Sequence, residues 1–224
     1  GSPVTDADLA ANKIIVDALQ KLTPNIPIIA EESTIPTQNY DYKTQPFWLV
    51  DPLDGTKSFI RREGEFTVNI ALINNGKPIG SAVVVPVHGV AYYVGKDGKA
   101  YKQVGDKEPI LISTRTAKDQ LVVISSRTHG RSRTDDYINT HLEVKERLYL
   151  SSSWKICVIG EGKADCYPRF GRTMEWDIAA GQAVLEAAGG NVQTLEGATF
   201  RYGKPNFENG FFIARGSTSS SRKV

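Results

Sequence analysis

The sequence predicts a mixed fold, an α+β first half joined to an α/β second half. Three observations carry that reading. Hairpin signals cluster before residue 112, helix and strand patterns alternate after it, and neither an internal repeat nor a flexible linker separates the two. The chain divides into a half at 1–112, a smaller half at 113–216 expected to carry substrate specificity, and a low-complexity tail at 217–224 expected to be disordered.

In the first half, residues 6–21 read as an amphipathic helix. Leu9, Ile14, Ile15, Ala18 and Leu22 recur at helical spacing, Thr5 or Asp6 can cap the start, and Pro24 ends it. The apolar run at 26–30 reads as a strand that delivers Glu31 and Glu32. A polar loop at 33–45 follows, then the apolar strand 47–50 runs into Asp51-Pro52-Leu53-Asp54-Gly55-Thr56. Residues 67–73 pair with 79–86 across Asn74-Asn75-Gly76-Lys77, and 90–94 with 99–103 across Lys96-Asp97-Gly98. In the second half, 121–125, 147–150 and 164–167 read as strands. Residues 133–141, 153–160 and 177–188 read as helices, the last stopped by Gly189-Gly190.

A chain of 224 residues suffices for one large domain or two small ones sharing a core. Its 40% hydrophobic and 23% charged residues are those of an ordinary globular protein. A net charge of +2 supplies no field for a nucleic-acid polymer or an acidic membrane surface, so anion recognition has to be local. Cys157 and Cys166 give neither a disulfide framework nor zinc-ligand spacing, which fits a reducing compartment and a cytoplasmic protein. No apolar run reaches the roughly 18 residues of a membrane span, and no signal peptide is visible.

Phosphate monoesters resist hydrolysis because an anionic phosphoryl group repels the incoming oxygen. Divalent cations remedy this by neutralising charge, acidifying water and stabilising the leaving oxygen. Magnesium takes oxygen ligands, so such a protein gathers carboxylates at strand ends beside backbone N–H groups. The 51–56 segment meets that need. An apolar strand delivers Asp51, Asp54 returns three residues later, and the Leu53 carbonyl lies between them. Gly55 lets a ligand approach the backbone closely, and a helical turn starting at Thr56 would offer free N–H groups. The same residue types are common in plain turns, so the hexapeptide alone leaves both readings open.

Trp48-Leu49-Val50-Asp51-Pro52-Leu53-Asp54-Gly55-Thr56 resembles the signature of the inositol-monophosphatase-like, lithium-sensitive phosphatases. Ala30-Glu31-Glu32-Ser33, Glu175-Trp176-Asp177-Ile178-Ala179-Ala180-Gly181 and Pro3-Val4-Thr5-Asp6-Ala7-Asp8 resemble three further elements of that family, in the right order. The resemblance covers residues 3–214 and implies a layered αβαβα sandwich of the inositol monophosphatase and fructose-bisphosphatase type. Within the family, Asp54-Gly55-Thr56-Lys57-Ser58-Phe59-Ile60, residues 64–73, Ser125-Ser126-Arg127-Thr128-His129 and Tyr167-Pro168-Arg169-Phe170-Gly171 are similar to bacterial 3′(2′),5′-bisphosphate nucleotidases. Members usually carry one or two helices ahead of the Thr-x-x-Asp element, so the resemblance implies a preceding segment that this sequence does not include.

By that resemblance, Glu31, Asp51 and the Leu53 carbonyl hold a first Mg2+, and Asp51, Asp54 and Asp177 a second; a third ion near Glu31 and Glu32 is the family's variant. Glu31 thereby serves catalysis as well as metal binding, and Thr56 paired with Asp8 orients and helps deprotonate the attacking water. Asp8 reads equally as a first-turn acid favoured by the helix dipole, and Asp177 as the N-cap of its helix. Gly55 and Thr56 contact the phosphate, while Lys155 and Arg169 bind a second phosphate, with Ser126 and His129 beside them. Nine Lys or Arg against six Asp or Glu between residues 125 and 172 agree with an anionic substrate there. Glu175, just before Asp177, leaves a sugar-gripping role open. The activity implied is release of the 3′-phosphate of adenosine 3′,5′-bisphosphate, or its sulfated analogue, by a monomer or homodimer that can associate peripherally with the inner membrane. An inositol phosphate or fructose bisphosphate phosphatase is the sibling alternative, and a catalytically silent nucleotide- or metal-binding protein the alternative of another class.

Overall fold

A computed structural model describes residues 4–33, 39–117, 119–127 and 131–217. The first sheet holds β1 (Ile28–Ala30), β2 (Phe47–Asp54), β3 (Thr67–Asn74), β4 (Lys77–Val85), β5 (Val90–Val94), β6 (Ala100–Val104) and β7 (Ile110–Leu111), side by side in chain order. Only β1 and β2 run parallel; the other neighbours pair antiparallel. The second sheet holds β8 (Leu121–Ser126), β9 (Val144–Leu150), β10 (Cys166–Arg169), β11 (Asn191–Thr194) and β12 (Phe212–Arg215), in the order β11-β12-β10-β8-β9. Here β8 is parallel to β9 and β10, and β12 is antiparallel to β10 and β11.

Among the described residues, five α-helices complete the layers: α1 (Asp6–Leu22), α2 (Thr56–Ile60), α3 (Arg131–His141), α4 (Trp154–Gly160) and α5 (Glu175–Ala187). Helix α1 packs Ile15, Val16 and Leu19 on Ala30, Trp48, Val50 and Ile70, one face of the first sheet. The opposite pleats, Phe47, Leu49, Ala71, Ile73 and Val83, join Ile178, Ala179 and Val184 of α5 and Ile156 and Ile159 of α4 in one continuous core. That core runs on to Ile124, Tyr167, Val192 and Phe212 of the second sheet, and α3 lies against β8 and β10. The stacking is the αβαβα sandwich that the sequence resemblance implies.

Local chemistry explains the elements that position the site. The β3–β4 hairpin closes on Asn75 and Gly76, both at positive φ (50° and 65°), the backbone a two-residue type I′ turn requires. Burial along β3 alternates strictly, placing Thr67, Asn69, Ala71 and Ile73 on the α5 side. In β2, Asp51 pairs with Asn69 and Asp54 with Thr67, three residues' advance against two. Residues three apart in a regular strand face opposite ways. This bulge puts both carboxylates on the same face as Asn69 and Thr67.

Several sequence expectations need correction. Of the α1 residues expected to recur on one face, Leu9, Ile14, Ala18 and Leu22 are exposed, Ile14 and Leu22 at 71% and 72%, while Ile15 does face inward, alongside Asp8, Val16 and Leu19. Apolar residues occur on both sides of this helix, so periodicity cannot choose between them. Strand β9 starts three residues before the expected 147, α5 starts at Glu175 rather than at 177, and β7, β11 and β12 escape notice at two, four and four residues. The tail at 218–224 lies outside the described residues.

The end of α5 is set by sterics. Gly189 takes φ +92, and a Cβ on Gly190 would stand 2.5 Å from Leu185 Cδ1 and 2.6 Å from the Arg215 carbonyl oxygen. Gly190→Ala is expected to destabilise the fold by about 1–3 kcal/mol, read as a lower urea midpoint at unchanged slope. An unchanged midpoint would contradict this close approach of α5 to β12.

Candidate active site

Strand ends and one helix start bring the acidic side chains together. Glu31 follows β1, its N–H bonded to the Val50 carbonyl at 3.1 Å. Asp51 and Asp54 come from the bulged end of β2, and Asp177 from the first turn of α5. All four line one cleft of about 410 Å³, together with Leu53, Gly55, Thr56, Ser126, Lys155 and Arg169. His129 lies outside the described residues. Carboxylate oxygens of Glu31, Asp51 and Asp177 all fall within 4.8 Å of one another. Asp54 stands at their side, its Oδ2 accepting the Ser153 N–H (2.5 Å) and the Asn69 side-chain amide (3.5 Å).

Such crowding shows in the protonation of these groups. Burial first, then the charges of Asp54, Glu31 and Asp177, drive the Asp51 carboxyl well above the usual range. Burial and Asp54 raise Asp177 to about 8; burial, Asp54 and Glu32 raise Glu31 to about 7, although Glu31 keeps an exposed edge. Asp54 is also raised by burial, with Lys155 opposing the rise. Glu32, where the sequence suggested a third ion, is raised by burial and by Asp8. Oxygen-only donors, mutually repelling and at this spacing, fit a hard divalent cation such as Mg2+.

Around this acid cluster the supporting groups are ordered. Asp8 is 2% exposed and serves two partners: Oδ2 accepts the Thr5 N–H at 2.8 Å as a capping acid, and Oδ1 accepts the Thr56 hydroxyl at 3.4 Å. Thr56 Oγ1 also lies 3.3 Å from the Leu53 carbonyl. Gly55 takes φ +96, which favours glycine, and α2 begins at the next residue, so the first amides of that turn have no intrahelical acceptor. Asp177 is not the N-cap of α5. It is the third helical residue, its Oδ2 accepts the Met174 N–H at 2.8 Å, and the first turn includes Glu175 and Trp176.

Two basic side chains line the same cleft. Lys155 is buried, donates to the Ser152 carbonyl and lies 5.3 Å from the Tyr167 ring centre. Burial lowers its ammonium to about 8, against the pull of Asp54. Arg169 is buried too, with Nη2 donating to the Arg172 carbonyl at 3.2 Å. Glu175 is turned away from the cleft: fully buried, it accepts the N–H groups of Gly203 (3.0 Å) and Lys204 (2.9 Å) and the Lys204 ammonium (3.2 Å). Sequence reasoning missed Asn69 and Ser153, which brace Asp54, and Lys57 and Arg61, which line the cleft. A polar Thr67 and Asn69 on the inward pleats of an apolar strand were the available signal.

The chain belongs to the inositol monophosphatase family, whose sequence pattern it matches over residues 1–217. It is 47% identical over 205 residues to the 3′(2′),5′-bisphosphate nucleotidase CysQ of Salmonella typhimurium, covering 90% of this chain and 80% of that one. The enzyme of the same name from Escherichia coli K12 is 46% identical over 202 residues, with the same coverage. Among solved structures, CysQ from Bacteroides thetaiotaomicron superposes with a TM-score of 0.84 at 37% identity, over 98% of this chain and 86% of that one. The Thermotoga maritima inositol monophosphatase follows at 0.75 and 25%, over 95% and 78%. Among the described residues, no helix is long and apolar enough to cross a membrane.

The raised carboxyls fix the sign of a pH effect. Without a bound cation, the folded chain keeps protons on Asp177 and Glu31 up to about 8 and 7, whereas the unfolded chain releases them near 3.8 and 4.5. Their contribution to stability is complete below those lower values and is lost as pH rises through 7 and 8. The melting temperature of the cation-free protein is therefore expected to fall between about pH 5 and 8, and Mg2+ to raise it more at pH 8 than at pH 6. A flat profile, or equal effects of Mg2+ at both pH values, would contradict the cluster.

Proposed function

We propose that this chain is a magnesium-dependent 3′(2′),5′-bisphosphate nucleotidase that hydrolyses adenosine 3′,5′-bisphosphate to AMP and inorganic phosphate. The observation that carries the reading is a single cleft lined by Glu31, Asp51, Asp54 and Asp177 together with Lys155 and Arg169. A substrate with two phosphates fits that polarity, one at the acids through cations and one at the basic pair. The names of the bacterial relatives at 46–47% identity support the same choice.

Glu31, Asp51, Asp54, Asp177 and the Leu53 carbonyl would hold two Mg2+ ions, with Glu32 available to a third. When bound, the ions supply charge neutralisation, a more acidic water and stabilisation of the departing 3′-oxygen. Thr56 Oγ1 receives the proton of the attacking water as its own passes to Asp8 Oδ1, the arrangement prepared by their 3.4 Å contact. Asp8 stays buried beside Thr5, which holds its carboxylate in line for that transfer. Gly55 and Thr56 present backbone N–H groups to the phosphoryl oxygens, and Lys155 and Arg169 orient the 5′-phosphate, with Ser126 lining the same cleft. In this reading residues 1–112 supply most of the acids, 113–216 supply the basic wall and Asp177, and the protein works in the cytoplasm as a monomer or homodimer on a small nucleotide.

A phosphate-release panel tests the proposal: adenosine 3′,5′-bisphosphate, inositol monophosphate and fructose 1,6-bisphosphate, each with Mg2+ and with added Li+. The bisphosphonucleotide is expected to be the best substrate and Li+ to inhibit. Asp54→Asn and Asp177→Asn are expected to fall to background with the fold intact, and Thr56→Val by about 10²–10⁴-fold. Near wild-type turnover in either Asp variant, or preference for the inositol ester, would overturn it.

A further inference from the structure

The turn between β9 and α4, residues 151–153, carries two features of the cleft. Ser153 places its N–H on Asp54 Oδ2, and Lys155 follows in the first turn of α4. Yet Ser152, at its centre, has φ +57, a left-handed conformation that L side chains adopt rarely. Such a residue stays there only where its surroundings over-determine it.

Three bonds converge on this turn from different directions. The Ser151 N–H donates to Glu65 Oε2 at 3.0 Å, the Ser153 N–H donates to Asp54, and the Lys155 ammonium donates to the Ser152 carbonyl. Ser153 Oγ is fixed as well, against Asn69 Oδ1 at 2.6 Å and Thr67 Oγ1 at 3.0 Å. Of these partners only Glu65 stands outside the chemistry of the site and outside the sheet that bears it. Its carboxylate is gripped by Arg127 through two parallel bonds, Nε to Oε2 at 2.9 Å and Nη2 to Oε1 at 2.7 Å. Burial favours the protonated form of Glu65, but Arg127 and the Ser151 N–H outweigh it, so the carboxylate stays charged. The Glu65 backbone also closes on the phosphate turn: a Cβ on Gly55 would lie 3.5 Å from the Glu65 carbonyl oxygen and 3.5 Å from Ser152 Cβ. Glu65 thus joins the metal-bearing turn of the first sheet, the end of β8 and the 151–153 turn at one point.

We propose that Glu65, clamped by Arg127, is a positioning residue of this active site: it holds the 151–153 turn in its left-handed form and so sets the Ser153 amide on Asp54 and Lys155 at the cleft wall. The kinetic consequence rests on the phosphatase reading; the conformational one does not. Two readouts separate them. Glu65→Ala is expected to lower kcat/KM for adenosine 3′,5′-bisphosphate by about 10–100-fold, the scale of a misplacement of roughly 1 Å. Arg127→Met is expected to act in the same direction, and the double variant to lose no more than Glu65→Ala alone. Ser152→Gly, which removes the cost of the left-handed backbone, is expected to recover most of the loss in the Glu65→Ala background and to change little by itself. Hydrogen–deuterium exchange at the 151–153 amides is expected to quicken in Glu65→Ala and in Arg127→Met, whatever the substrate. Should Glu65→Ala fail to fold, exchange in Arg127→Met decides the matter. Wild-type kcat/KM in Glu65→Ala, no recovery with Ser152→Gly, or unchanged exchange at 151–153 would overturn the proposal. A wild-type chain that releases no phosphate would sink the phosphatase reading, and the exchange result would still judge this one.

Discussion

Carboxylates repel one another, and burial removes the water that would screen them. Oxygens of Glu31, Asp51 and Asp177 nevertheless meet within 4.8 Å in a cleft, with Asp54 beside them. A folded chain can hold such a set only by keeping protons on it or by admitting cations. Much of the architecture serves that one confinement. The parallel β1 brings Glu31 alongside β2, the bulge turns Asp54 to the side of Asp51, and α5 packs tightly enough on the first sheet for its third residue to join them. On another side α5 packs as closely on α4: a Cβ on Gly181 would stand 3.1 Å from Ile156.

Opposite charge is kept close without quenching the acids. Lys155 and Arg169 line the same cavity, yet Lys155 is directed at the Ser152 carbonyl and Arg169 at the Arg172 carbonyl. The outcome is one cavity lined both by groups for cations and by groups for anions. A ligand carrying two phosphates can satisfy both sets at once, whereas a monoester of a neutral polyol satisfies one.

Much of this was legible in the sequence, and the exceptions have physical causes. The strands flanking Asp51 and the hairpin at Asn75-Gly76 could be read because apolar runs and turn chemistry are local signals. Convergence of Asp8, Glu31 and Asp177 could not be derived from spacing; it came from resemblance, since contacts between remote segments leave no periodic trace. The bracing of Asp54 by Asn69 and Ser153 left only an indirect sign, a polar Asn69 on an inward pleat, because its partners come from remote segments. The inward face of α1 is only partly legible, through Ile15, because that helix is apolar on two sides, and β11 and β12 are too short to show a pattern. The alternative reading of Asp177 as an N-cap follows from the preference of acids for helix starts; in the structure the helix starts two residues earlier and Asp177, its third residue, accepts the Met174 N–H.

The most direct test of the shared carboxylate cluster is calorimetric titration of the cation-free protein with Mn2+ or Mg2+ at pH 7, repeated in buffers of different ionisation enthalpy to count protons. Glu31 and Asp177, raised to about 7 and 8, are then partly and largely protonated respectively, so cation uptake should expel protons and both uptake and expulsion should collapse in Asp177→Asn. Uptake with no proton release, or with the same affinity in Asp177→Asn, would contradict the account.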